Sequence, residues 1–228
     1  MSYNRSSLKQ TIKLIKKSRA ILKNTLMKDL VEAATGYKVI HFNKNNKNNK
    51  YLLLELIKLC NILIHSFKTK AITRKIYNAD LNIKTKSFRN NEIGGYCEFK
   101  IKDEFYKNKT KFKYIQEIIP LSNSGYPDLK IITRHNKLDF IEIKATSKPN
   151  IGSPRDFYYT PGSNSDKKIN SDASHLLVGF TTKQKGKERF NLIGFKIVDV
   201  SKIKVSLKPE FNTDNLGIYA PDTILFQT

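Results

Sequence analysis

The 228-residue sequence has no tryptophan, only two cysteines, and 20 acidic residues against 42 lysines and arginines. Each scarcity excludes something. Cys60 and Cys97 stand apart with no CxxC partner, so neither a disulfide framework nor a structural zinc site is indicated. No apolar run approaches the length of a membrane span, and the opening MSYNRSSLKQTIKLIKK lacks the apolar core of a signal peptide. A soluble cytoplasmic protein is expected. The shortage of acid leaves a formal net charge of +22. A compact chain so charged repels itself unless a polyanion is nearby, which makes nucleic acid the leading partner. A genome that favours lysine and asparagine contributes to the bias, as the run NKNNKNNK from Asn43 to Lys50 illustrates.

From Ser7 to about Ala34, Leu8, Ile12, Ile15, Leu22, Leu26 and Leu30 recur at helical spacing with lysines opposite, predicting an amphipathic helix broken near Asn24 and stopped by Gly36. Asn43 to Lys50 reads as a solvated loop. Tyr51 to Phe67 predicts a helix apolar nearly all round and therefore buried, with His65 a core or boundary residue in preference to a ligand. Thr69 to Arg89 is basic. From Asn91 the pattern reads as strands: a Gly94-Gly95 turn, then runs over Tyr96 to Ile101 and Phe112 to Ile119. Two further strands, His175 to Thr182 and Phe190 to Val198, are joined by a basic tip. The chain thus divides into a helical region, residues 1–90, suited to DNA contact or dimerisation, and a core, residues 91–228.

Most of the chemistry lies between Gly125 and Lys148, GYPDLKIITRHNKLDFIEIKATSK. Pro127 suits a strand entrance, and Asp128 opens the apolar run that follows. A polar turn, Arg134 to Lys137, precedes an alternating run in which Glu142 and Lys144 share one face and Ile141 and Ile143 the other. Paired as a hairpin, these runs bring Asp128 and Glu142 together with Lys144 beside them. Two carboxylates and an amine on a sheet edge suit metal-dependent hydrolysis. Carboxylate oxygens are hard ligands for Mg²⁺, and an ammonium group can stabilise charge developing on a phosphate.

Pro127-Asp128 followed fourteen positions later by Glu142-Ile143-Lys144 in an apolar strand resembles the PD-(D/E)xK nuclease superfamily, and within it the type II restriction endonucleases. The close match spans about twenty residues. The resemblance implies an α+β fold in which a central mixed β-sheet is flanked by helices. It implies Mg²⁺-dependent, sequence-specific hydrolysis of double-stranded DNA leaving 5′-phosphates, with Asp128, Glu142 and Lys144 catalytic. Asp128, Glu142 and the backbone carbonyl of Ile143 would hold the metal, and a further acidic residue from Glu117, Glu98 or Glu92 could join them. A homodimer acting on a palindromic site, paired with a DNA methyltransferase, is also implied. Residues 149–173 form a long polar connection in which Arg155, Asn164, Lys167, Lys168 and Asn170 are candidate DNA-binding residues. The alternatives are a non-enzymatic basic nucleic-acid-binding protein, a repair or recombination nuclease, and a phospholipase D-type nuclease, whose HxK…GS pattern is faintly matched by His135, Lys137, Gly152 and Ser153.

Overall fold

The computed structural model describes residues 5–121, 125–147, 156–157, 168–206 and 208, without the side chains of residues 5–8, 19 and 21. Two compact units are present. The smaller, residues 1–25 and 204–228, holds helix α1 (Arg5–Ile21), the first residue of β1 (Thr25–Leu26) and its partner strand β9 (Lys204–Val205). The expected break falls at Asn24, whose φ of 58° lies in the left-handed region that asparagine tolerates better than most residues.

The larger unit, residues 26–203, begins with α2 (Met27–Thr35), which ends at Gly36 with φ 80° as expected. There follow β2 (Val39–Ile40), α3 (Lys47–Phe67), β3 (Ile72–Thr73), α4 (Arg74–Leu81), α5 (Asn90–Lys107), β4 (Ile115–Pro120), β5 (Leu129–Thr133), β6 (Leu138–Ser147), β7 (Ala173–Gln184) and β8 (Arg189–Asp199). A seven-stranded sheet runs β3-β8-β7-β6-β5-β4, with β2 paired to β7 off that path. β6 and β7 are parallel, while β4, β5 and β8 join antiparallel. This is the α+β architecture expected, a mixed sheet flanked by helices.

Three local expectations need correction. Tyr96 to Ile101 is not a strand and Gly94-Gly95 is not a turn, because both lie inside α5. Ile93, Tyr96, Cys97, Ile101 and Phe105 recur at three and four residues and are buried. Their burial outweighs the cost of about 1 kcal/mol for each helical glycine. Asn43 to Lys50 is not simply a loop: the Asn46 side chain accepts the N–H groups of Asn48 and Asn49 and so starts α3 inside the polar run. Finally, α3 is buried on one face only. Leu52, Leu56, Leu59 and Leu63 enter the core, whereas Leu54 is half exposed and His65 lies at the surface.

One buried cluster joins Leu56 and Leu59 of α3, Ile93 and Phe105 of α5, and Ile141, Ile143, Leu176 and Val178 of the sheet. Phe88 belongs to it as well, so the core passes through residue 90. Among the described residues, no helix is long and apolar enough to cross a membrane.

Candidate active site

The site forms where β5 leaves β6. Their ladder ends with Leu129 opposite Ile141, and the Asp128 N–H still reaches the Ile141 carbonyl at 3.1 Å. Two residues farther along β6, the Ile143 N–H donates to Asp128 Oδ2 at 2.6 Å. A side-chain carboxylate thus takes the position a strand carbonyl would have filled. Because a strand residue's N–H and C=O leave on the same side, the Ile143 carbonyl is directed toward the Asp128 side of the strand. Gly125, with φ 99°, turns the chain just before this point, and only glycine adopts that conformation without strain.

Glu142 and Lys144 share the β6 face opposite Ile141 and Ile143, as their alternation requires. That face is closed around Glu142 and partly open at Lys144. Glu142 is 2% exposed, because β6 lies inside the sheet and Phe140 and His175 are buried beside it. Lys144 Nζ stands 2.5 Å from Glu142 Oε1 and 5.4 Å from the centre of the Phe157 ring. Glu142 Oε2 is buried without a hydrogen-bond partner. Burial first, and then the charge of Asp128, pushes the Glu142 carboxyl up to about 7, against the opposing pull of Lys144. Burial also raises Asp128, with the Ile143 N–H and Lys144 acting the other way.

Of the further acidic candidates, Glu98 lies within electrostatic reach of this group. It lies on α5, and burial, followed by the charge of Asp128, pushes its carboxyl up to about 7; Glu142 adds to the rise and Lys168 opposes it. Glu117 sits on β4 opposite Ile132, two strands from β6. Glu92 is committed elsewhere, accepting the Arg89 N–H at 2.8 Å at the start of α5. Among the described residues, no set of three or more His, Cys, Asp or Glu side chains is close enough to hold a metal ion. The donors available at the β6 edge are two carboxylates and a backbone carbonyl, a small set that suits Mg²⁺, which keeps several of its waters.

Arg155, Asn164 and Lys167 lie outside the described residues, as do Gly152 and Ser153. Asn170 is exposed. Lys168 points inward, donating to the carbonyls of Gly125 at 2.5 Å and Pro127 at 3.0 Å. His135 is in the turn at the far end of β5 from Asp128, its ring 5.6 Å from Tyr114. A contact the sequence did not suggest lies behind the site. Tyr126 stacks on His175, and its hydroxyl is hydrogen-bonded to His175 Nδ1, both side chains being buried. The only local signal was an aromatic residue preceding Pro127.

The family model for type II restriction enzyme MjaV matches residues 22–222. The chain is 31% identical over 214 residues to a protein named type II restriction enzyme MjaV from Methanocaldococcus jannaschii, an alignment covering 86% of each. No solved structure matches.

Proposed function

The chain belongs to the type II restriction enzyme MjaV family, and from that premise we propose that it is a restriction endonuclease whose cleavage of double-stranded DNA depends on Mg²⁺ and leaves 5′-phosphates. The observation that carries the site assignment is the meeting of Asp128, Glu142 and Lys144 where β5 leaves β6. Asp128 uses Oδ2 on the Ile143 N–H, which leaves Oδ1 for a cation. Glu142 has a buried, unpartnered Oε2. The Ile143 carbonyl completes the protein's share of the ligands. The donor chemistry fits: burial raises both carboxyls and Asp128 adds to the rise at Glu142, so a divalent cation here would compensate charge that burial disfavours.

A bound divalent cation supplies a polarised phosphate oxygen and a more acidic water. The rest falls to the protein. Asp128 and Glu142 fix where the scissile phosphate can sit relative to the β6 edge. Lys144, poised on Glu142, turns to the phosphate and stabilises the negative charge that grows in the transition state. Phe157, over the Lys144 ammonium, limits water on that side. The net charge of +22 draws the duplex in by counterion release. Asn170, with Arg155, Asn164 and Lys167, remains our candidate for contacting DNA. Two copies related by a twofold axis would place one site on each strand of a palindrome, and a companion methyltransferase would protect the host's own DNA.

Incubation with unmethylated phage DNA and Mg²⁺, with and without EDTA, tests this. Discrete fragments that vanish with EDTA support the assignment. Cleavage that survives EDTA would move the chemistry to a metal-independent group such as His135, and binding without cleavage would favour a non-enzymatic role.

A further inference from the structure

Asp128 is only as well placed as the turn that carries it. Residues 125–127 precede β5, and the carbonyls of Gly125 and Pro127 both accept from Lys168 Nζ, at 2.5 and 3.0 Å. No backbone amide is recorded on either oxygen among the described residues, so this one ammonium satisfies two carbonyls in the three residues before the catalytic aspartate. Lysine has three donors on a compact head, and here two converge on one turn. The side chain is partly buried and comes from the connection between β6 and β7, more than forty positions along the chain. Its charge also lies within electrostatic reach of Asp128, Glu142 and Glu98.

We infer that Lys168 is a positioning residue for Asp128: by clamping the Gly125 and Pro127 carbonyls it sets the geometry in which Asp128 meets the Ile143 N–H and a divalent cation. The inference rests on the restriction-endonuclease assignment above, and it reassigns Lys168 from DNA contact to the support of the metal site. It also makes a prediction opposite in sign to simple electrostatics. Removing a positive charge beside three carboxylates should tighten cation binding if charge alone mattered. Removing the clamp should weaken it.

The test compares wild type with Lys168→Met and Lys168→Arg, using the full chain. Mn²⁺ affinity is measured by calorimetry without DNA, cleavage rate at saturating DNA and Mg²⁺, and DNA affinity as a function of salt in Ca²⁺. For Lys168→Met, clamping predicts weaker Mn²⁺ binding and a cleavage rate lower by roughly 10²-fold, the scale of a misplacement of about 1 Å. The salt dependence of DNA binding should equal that of wild type, and Lys168→Arg should recover part of the Mn²⁺ affinity. Tighter or unchanged Mn²⁺ binding by Lys168→Met overturns the inference. So does a log-log salt slope shallower by about 0.9, since that identifies Lys168 as a phosphate contact. If Lys168→Met does not fold, Lys168→Leu takes its place, likewise removing the donors and the charge, and is judged by the same measurements. Wild type that binds Mn²⁺ but never cuts DNA refutes the enzymatic assignment while leaving the calorimetric comparison decisive for the clamp.

Discussion

Asp128 reaches across the point where two strands separate and takes the N–H of Ile143 at 2.6 Å. This bond fixes one carboxylate oxygen and holds Asp128 against the strand that carries Glu142 and Lys144. It also makes the site sensitive to changes that leave the fold intact, because the sheet itself does not depend on the Asp128 carboxylate.

Glu142 should trade stability for function. Its carboxyl is pushed up to about 7 from an ordinary 4.5, so at pH 8 the folded state holds a buried charge that the unfolded chain would solvate freely. Glu142→Gln removes that penalty and is expected to stabilise the metal-free protein at pH 8 by roughly 1–3 kcal/mol. Thermal melts with EDTA would show the gain, while cleavage is lost. A lower melting temperature would mean the Lys144 pair outweighs the burial of the carboxylate.

Glu98 and Glu117 can be separated by titrating cleavage with Mg²⁺. Glu98 shares the field of Asp128 and Glu142, whereas Glu117 lies two strands away. Glu98→Gln should change the Mg²⁺ concentration at half-maximal cleavage, and Glu117→Gln should leave it within about twofold, as expected of a surface change away from the site. Equal effects would break the distinction.

His175 sets a pH dependence of stability. Burial holds its imidazole down at about 3, against 6.5 ordinarily. The unfolded chain therefore takes up this proton below about pH 6.5 and the folded protein does not, so the histidine's contribution is complete above that pH and is lost as pH falls toward 3. Asp139, raised by burial to about 6, works in the opposite direction over an overlapping range. The comparison must therefore be made between variants. Denaturant melts of His175→Gln, which keeps an acceptor for Tyr126, should lose less stability between pH 6.5 and pH 4 than wild type. Parallel curves would show that His175 is not held neutral.

DNA affinity should fall steeply with salt. A surface that neutralises six to ten phosphates loses roughly 10³ to 10⁵ in affinity between 50 and 200 mM salt. Fluorescence anisotropy with a labelled duplex in Ca²⁺ measures this, and a flat response would show that the charge of +22 is not the binding surface.

Much of this architecture was legible because local rules and tertiary packing agree. Gly36 stops a helix, Asn24 breaks one, and the alternation around Glu142 assigns its face. Where they disagree, the sequence misleads. Gly94-Gly95 is ordinary turn chemistry, yet the buried spacing of Ile93, Tyr96, Cys97 and Ile101 holds it helical, and the misreading hid that Glu98 projects from a helix packed on β6. Asn46 looks like filler in a polar run until its side chain is seen starting α3. The sequence offered Lys168 only as a candidate DNA contact, since a lysine bound to two carbonyls far along the chain leaves no periodic trace. The pairing of Tyr126 with His175, which sit 49 positions apart, could not have been found from sequence.

The most direct test of the account is cleavage by Lys144→Met. Unlike a carboxylate variant, it leaves Asp128, Glu142 and the Ile143 carbonyl in place, so a cation can still bind while the ammonium beside the phosphate is gone. With Mg²⁺ and unmethylated DNA, wild type should give discrete fragments, and Lys144→Met should bind the same DNA but cut it slower by at least about 10²-fold, the scale of losing one preorganised transition-state contact. The same fragments at the wild-type rate would show that the chemistry of this chain lies elsewhere.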